Sequence, residues 1–165
     1  VAELVGGDSG NGFATPLCLW HKRLPVWRRP EVANGGARSN FYQVSSGTGQ
    51  AAINLPTASG STNELDFVGA ISSDQLWFER SGDNLLIDLF DTSNSATVNG
   101  WFAGAAVQLQ EITAGGLKID SQVSQLVQAM ATYANNPGFD PTSSSIHTVP
   151  NDTSLQGTMS AAWHA

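Results

Sequence analysis

The side chains of this chain that could do chemistry are carboxylates and amides set among flexible turns. A hard cation such as Ca²⁺ takes six to eight oxygen ligands from carboxylates, Asn side chains and turn carbonyls. The stretch GGDSGNG, residues 6–12, offers Asp8, Asn11 and the carbonyl of Gly6, while Glu64, Asp66, Asp74 and Asp83 fall at the ends of expected strands, where loops can converge. These seven residues are the expected metal ligands, with calcium as the cofactor. Taken singly, each is also an ordinary solvated turn residue.

Other chemistries find less support. A nucleophilic Ser9 in GDSG (7–10) needs a base and an orienting carboxylate. His21, His147 and His164 fall in a basic insert, in a polar linker and at an end expected to fray. A glycine-rich turn is the better reading of GDSG. The three histidines lack zinc spacing, and Cys18 is the only cysteine, which excludes an intrachain disulfide and a thiolate metal site.

The elements that must position the carboxylates follow from length and pattern. With 165 residues the chain is expected to form one core burying roughly two-thirds of its unfolded surface. A net charge of -7 argues against nucleic acid as a partner, because phosphate contacts need clustered Lys and Arg. No apolar run reaches bilayer length, so no transmembrane segment is expected. Past residue 40, short apolar runs recur about every eleven residues: FYQV (41–44), AAINL (51–55), ELDFV (64–68), QLWFER (75–80), NLLIDLF (84–90), ATVNGWF (96–102) and VQLQEI (107–112). They predict a mainly β fold, a stack or meander with hairpins. SGDN (81–84) reads as a hairpin turn, with Gly82 and Asp83 able to take positive φ. Val123, Leu126, Val127, Met130 and Ala134 then follow helical spacing, with Asp120 or Ser121 as the expected cap. Leu155, Met159 and Trp163 predict a second helix capped near Asn151 or Asp152. Both helices, near 120–134 and 152–163, are expected to cover the open end of the β-stack. Trp77, Trp101 and Trp163 are expected in the core.

The run ISSDQLWFERSGDNLLIDLFDTSNSATVNGWFAG, followed by VQLQEITAGGLKIDSQVSQLVQAMA, resembles the haemolysin-type calcium-binding-related domain near the C-terminus of RTX proteins. The spacing of LWF, SGDN, WF and the helix carries the likeness over residues 41 to about 134 and more weakly to Trp163. The resemblance implies a β-roll or β-solenoid-like stack with hairpins and two C-terminal helices. It also implies that glycine-rich nonapeptide repeats precede this domain and hold Ca²⁺ in their turns. Here GGDSGNG (6–12) and GGARSN (35–40) are the fragments of such repeats, and that phase favours Asp8 as a ligand.

Between the fragments stands a foreign segment. LCLWHKRLPVWRRPEVANGG (17–36) holds Lys22, Arg23, Arg28 and Arg29, which with Arg38 make five of the seven basic residues, whereas residues from 41 onward carry two basic and eleven acidic ones. Tryptophan has a single codon, TGG, so reading WHKRLPVWRR one base later forces glycine in place of Trp20 and Trp27. With permitted codons the shifted run reads G-T-S-D-Y-L-F-G-G-A, in repeat phase. Residues 1–40 are therefore expected to be a degenerate, frameshift-altered calcium-repeat remnant, and residues 41–165 the RTX-type C-terminal domain. Exposed Trp20 and Trp27 would favour a homodimer.

The functional expectation is a calcium-associated C-terminal module of a secreted, extracellular RTX-type protein, assisting folding, export or attachment. Its implied partners are Ca²⁺ and the type I secretion machinery. The alternative is a small calcium-dependent hydrolase acting on an ester or lactone such as an acyl-homoserine lactone, with a bound Ca²⁺ as Lewis acid.

Overall fold

The computed structural model describes residues 22–25, 31–37, 39–57, 62–104 and 107–165, with 22–25 and 31 as backbone only. Its strands are β1 (Lys22–Pro25), β2 (Glu31–Asn34), β3 (Asn40–Val44), β4 (Gln50–Asn54), β5 (Asn63–Phe67), β6 (Leu76–Ser81), β7 (Asn84–Leu89), β8 (Ser95–Val98), β9 (Glu111–Ala114) and β10 (Leu117–Ile119). Two helices follow, α1 (Val123–Ala134) and α2 (Thr153–Ala162). The chain is thus mainly β with two C-terminal helices, as expected.

The strands make two five-stranded mixed sheets, ordered β1-β3-β5-β9-β10 and β2-β4-β8-β7-β6. From β1 to β5 consecutive strands alternate between the sheets. The strand of the other sheet supplies the crossover, so neighbours within a sheet run parallel: β1 with β3, β3 with β5, β5 with β9, β2 with β4 and β4 with β8. Antiparallel pairing is confined to β6-β7-β8 and β9-β10. β1 and β2, from the segment expected to be an altered repeat remnant, pair in register with β3 and β4 of the following segment. Pro25 ends β1, an edge strand, where a missing N–H is tolerated.

Period-two alternation turns one face of each strand inward. β3 and β5 bury alternate residues, which places Tyr42 beside Leu65 and Val44 beside Phe67. Ile53, Leu85, Ile87, Ala96 and Val98 come from the other sheet, and all join one core. Trp77, Trp101 and Trp163 are buried as expected. Two tight turns set the antiparallel pairs. Gly82, with φ 62°, opens the two-residue link between Ser81 and Asn84, while Asp83 keeps negative φ, so glycine alone supplies the special conformation. Gly115 and Gly116, with φ 59° and 82°, link β9 to β10, the double-positive pattern of a type I′ turn.

Several expected boundaries move. In VQLQEI only Glu111 and Ile112 are extended, because Val107–Gln110 form turns held by the Gln108 side chain on Trp101 O at 3.0 Å. ATVNGWF stops as a strand at Val98, since Gly100 turns the chain at φ 71°. The N-cap of α1 is Gln122 without a side-chain cap, rather than Asp120 or Ser121. Asp120 is engaged elsewhere, with His164. Asp152 does cap α2, its Oδ1 accepting from Ser154 N and Leu155 N at 3.0 Å each. His164 is not frayed. Its backbone exchanges hydrogen bonds with Lys118 at 2.7 and 3.0 Å, adding a bridge to the outer edge of β10. On the other sheet α1 covers edge strand β6, where Phe78 N reaches Met130 Sδ at 3.0 Å. The helical segment thus closes the edges that β6 and β10 would leave open.

Candidate functional site

Parallel stacking brings equivalent residues of successive levels side by side, and asparagines exploit this. On one sheet Asn54 Nδ2 donates to Asn34 Oδ1 at 2.8 Å and Asn99 Nδ2 donates to Asn54 Oδ1 at 2.7 Å. On the other, buried Asn40 donates to Asn63 Oδ1 at 2.7 Å, and Asn63 N donates to Gln110 Oε1 at 2.6 Å. Amides suit such ladders because each carries both donor and acceptor and can serve the levels above and below. Gly35 fits the turn beside them because a Cβ there would collide with the Tyr42 hydroxyl and Pro56. That hydroxyl is buried without a hydrogen-bond partner among the described residues, and burial pushes Tyr42 up to about 12.

The expected metal ligands are distributed unevenly. Gly6, Asp8 and Asn11, like Ser9, Cys18, Trp20, His21 and Trp27, lie outside the described residues. Glu64 and Asp66 share the outward face of β5, and Glu111 stands beside Glu64 on β9. Asp66 Oδ1 accepts from the Thr113 hydroxyl at 2.7 Å, and Lys118 Nζ lies 3.9 Å from Glu111 Oε2. Asp74 sits in a single 3-10 turn, accepting from the Ser72 hydroxyl. Asp83 is engaged in the β6–β7 turn by Arg80 at 3.3 Å, whose guanidinium also lies over the Phe102 ring. So the structure gathers Glu64 and Asp66, adds Glu111, and leaves Asp74 and Asp83 in separate turns. Among the described residues no three His, Cys, Asp or Glu side chains converge as a metal site.

Around Glu64 the electrostatics favour the protonated carboxyl. Partial burial raises Glu64 to about 7, with the Asp66 hydrogen bond and the charges of Asp66 and Glu111 adding to it and Lys118 opposing. A carboxyl near neutrality can give or take a proton. A cleft of about 230 Å³ is lined in part by Glu111, the β9 register partner of Glu64, and by Thr113, Lys118 and Ala165. The outward face of the second sheet carries another perturbed carboxyl. Burial raises Asp88 to about 6, with Glu79 contributing, and Glu79 is itself raised by burial. Of the histidines, His147 pairs with Asp91 at 2.9 Å and His164 with Asp120 at 3.4 Å, so neither stands as an isolated base.

Sequence reasoning missed Glu111, Asp88 and the ladder amides. A signal for the ladders was present: Asn34 and Asn54 are 20 residues apart, and Asn40 and Asn63 are 23 apart. The flanking segments SNFYQV and TNELDF keep the same alternation after that Asn. No protein-family model matches this chain. Among the described residues no helix is long and apolar enough to cross a membrane.

Proposed function

We propose that the chain is a β-roll-type C-terminal module of a secreted RTX-type protein, non-catalytic, whose folding external Ca²⁺ favours after export through a type I channel. The observation that carries this reading is the alternation of β1 to β5 between two parallel-stacked sheets, with amides bonded from level to level. A β-roll is built this way, each coil giving one strand to each sheet, so equivalent residues recur once per coil. The β6–β7 hairpin, β10 and the helices act as the end cap that such a stack requires. The calcium dependence rests on charge. Eleven carboxylic acids against two cations after residue 40 leave repulsion that a divalent ion relieves in the compact state. The test is thermal unfolding in millimolar Ca²⁺ and in chelator, with Mg²⁺ at equal ionic strength as control. The expected result is a midpoint raised by Ca²⁺ beyond the Mg²⁺ control; identical midpoints in all three would sink the calcium part.

The hydrolase reading keeps one observation, the Glu64 carboxyl held near neutrality next to Glu111, which lines a cleft. Lactone opening assayed with and without chelator separates it from the first. Turnover that vanishes in Glu64→Gln would favour the enzyme.

A further inference from the structure

We propose that the cavity over Asp88 and Ser95 on the outward face of the second sheet binds a small primary ammonium group. Gln50, Ser95 and Asp88 form one cross-strand row, since Gln50 is in register with Ser95 and Ser95 with Asp88. The row lines a cavity of about 270 Å³ roofed by Pro141 and Thr142. Most polar groups around it are already satisfied. Thr92 Oγ1 donates to Leu89 O, Asn94 Oδ1 accepts from Gly49 N at 2.7 Å, and the Thr142 hydroxyl donates to Asp140. Ser95 is different, being only 8 % exposed, lining the cavity and making no side-chain hydrogen bond among the described residues. Among the described residues Asp88 likewise has no hydrogen-bonded partner, and the charged neighbour that perturbs it is another carboxylate, Glu79.

Three acceptors with no side-chain partner among the described residues, the Asp88 carboxylate, Ser95 Oγ and Gln50 Oε1, match the three donors of an R–NH₃⁺ group. An anion is disfavoured by the two carboxylates. A calcium ion is disfavoured because a single carboxylate lines the cavity. The volume is near the roughly 300 Å³ lower bound of small-ligand pockets, enough for an ammonium with a short carbon tail. This site shares no residue with the Glu64 face and does not rest on the calcium reading.

The experiment is a titration of the isotope-labelled chain with ethylammonium chloride at constant ionic strength, read by backbone amide shifts. Tetramethylammonium and Ca²⁺ serve as comparison cations. Saturable shifts confined to β4, β7, β8 and residues 140–142 are expected with ethylammonium alone. Asp88→Asn should weaken binding about tenfold or more, the usual effect of losing one charge-assisted hydrogen bond, and Ser95→Ala should weaken it several-fold. The two variants check one another, and the unshifted remainder of each spectrum shows that each is folded. Binding should also weaken from pH 7.5 to pH 5, as Asp88, held up at about 6 by burial and Glu79, takes a proton. The proposal is overturned by absence of saturation, by equal affinity in Asp88→Asn, or by tetramethylammonium or Ca²⁺ producing the same shifts.

Discussion

The stacked half of the molecule and its capped half solve the same problem with opposite materials. Around β3 and β5 the interior accepts polar groups: Asn40, Asn63 and Thr48 are buried. Around β6 and α1 it is aromatic, with Trp77 against Phe139 at 4.7 Å and Phe90 at 5.8 Å, and Phe78 against Trp163 at 6.1 Å. The reason is repetition. Where successive levels present the same residue about 4.8 Å away, an amide finds a ready partner and can be buried at little cost. Where β6 and β7 pair antiparallel and α1 packs on them, aromatic rings exclude water instead.

The comparison is broken most severely at the cap. Trp77→Ala empties the centre of the aromatic group and should cost about 3–5 kcal/mol, read as a fall in the denaturation midpoint at unchanged slope. A loss below about 1 kcal/mol would mean the rings pack too loosely to act as a cap.

The laddered half should respond to the loss of a single amide. Asn40 donates to Asn63 Oδ1 and Gly36 O and accepts from Gly36 N. Asn40→Ala leaves buried groups without those bonds and should cost about 2–3 kcal/mol. If it costs no more than an exposed Asn→Ala change, the ladder is ornamental and the contrast between the halves fails.

The smallest effect sharpens the comparison on the surface. Glu64 is raised from 4.5 to about 7, so its stabilising contribution is complete below about pH 4.5 and is lost as pH rises through about 7. Asp88 acts in the same direction between 3.8 and about 6. The unfolding midpoint should therefore decline from pH 5 to pH 8. Glu64→Gln should flatten the upper part of that decline and raise the midpoint at pH 8 by a few degrees. An unchanged pH profile in Glu64→Gln would show that burial, with the Asp66 and Glu111 charges, does not raise the Glu64 carboxyl.

The strands were legible wherever burial alternates. FYQV, ELDFV and NLLIDLF all show period two, and each forms a strand within one residue of its expected ends. SGDN was legible because its backbone needs a glycine. VQLQEI was misread because an apolar run carries no sign that its first residues turn, and the α1 cap was misread because Asp120 has a better partner in the distant His164. The candidate site was legible only as residue types. Glu64 and Asp66 are two apart on one strand, so their shared face could be inferred, but Glu111 joins them from 47 residues away.

The sequence by itself determined the β content, the helix positions, the acidic surface and the aromatic weight of the C-terminal half, because periodicity, charge and side-chain size act locally. The tertiary structure decided which strands are neighbours, that they run parallel, and therefore which amides and carboxylates meet. Those contacts depend on the order in which strands alternate between two sheets, a long-range choice made by burying both inner faces in one core rather than by any local preference of the residues concerned.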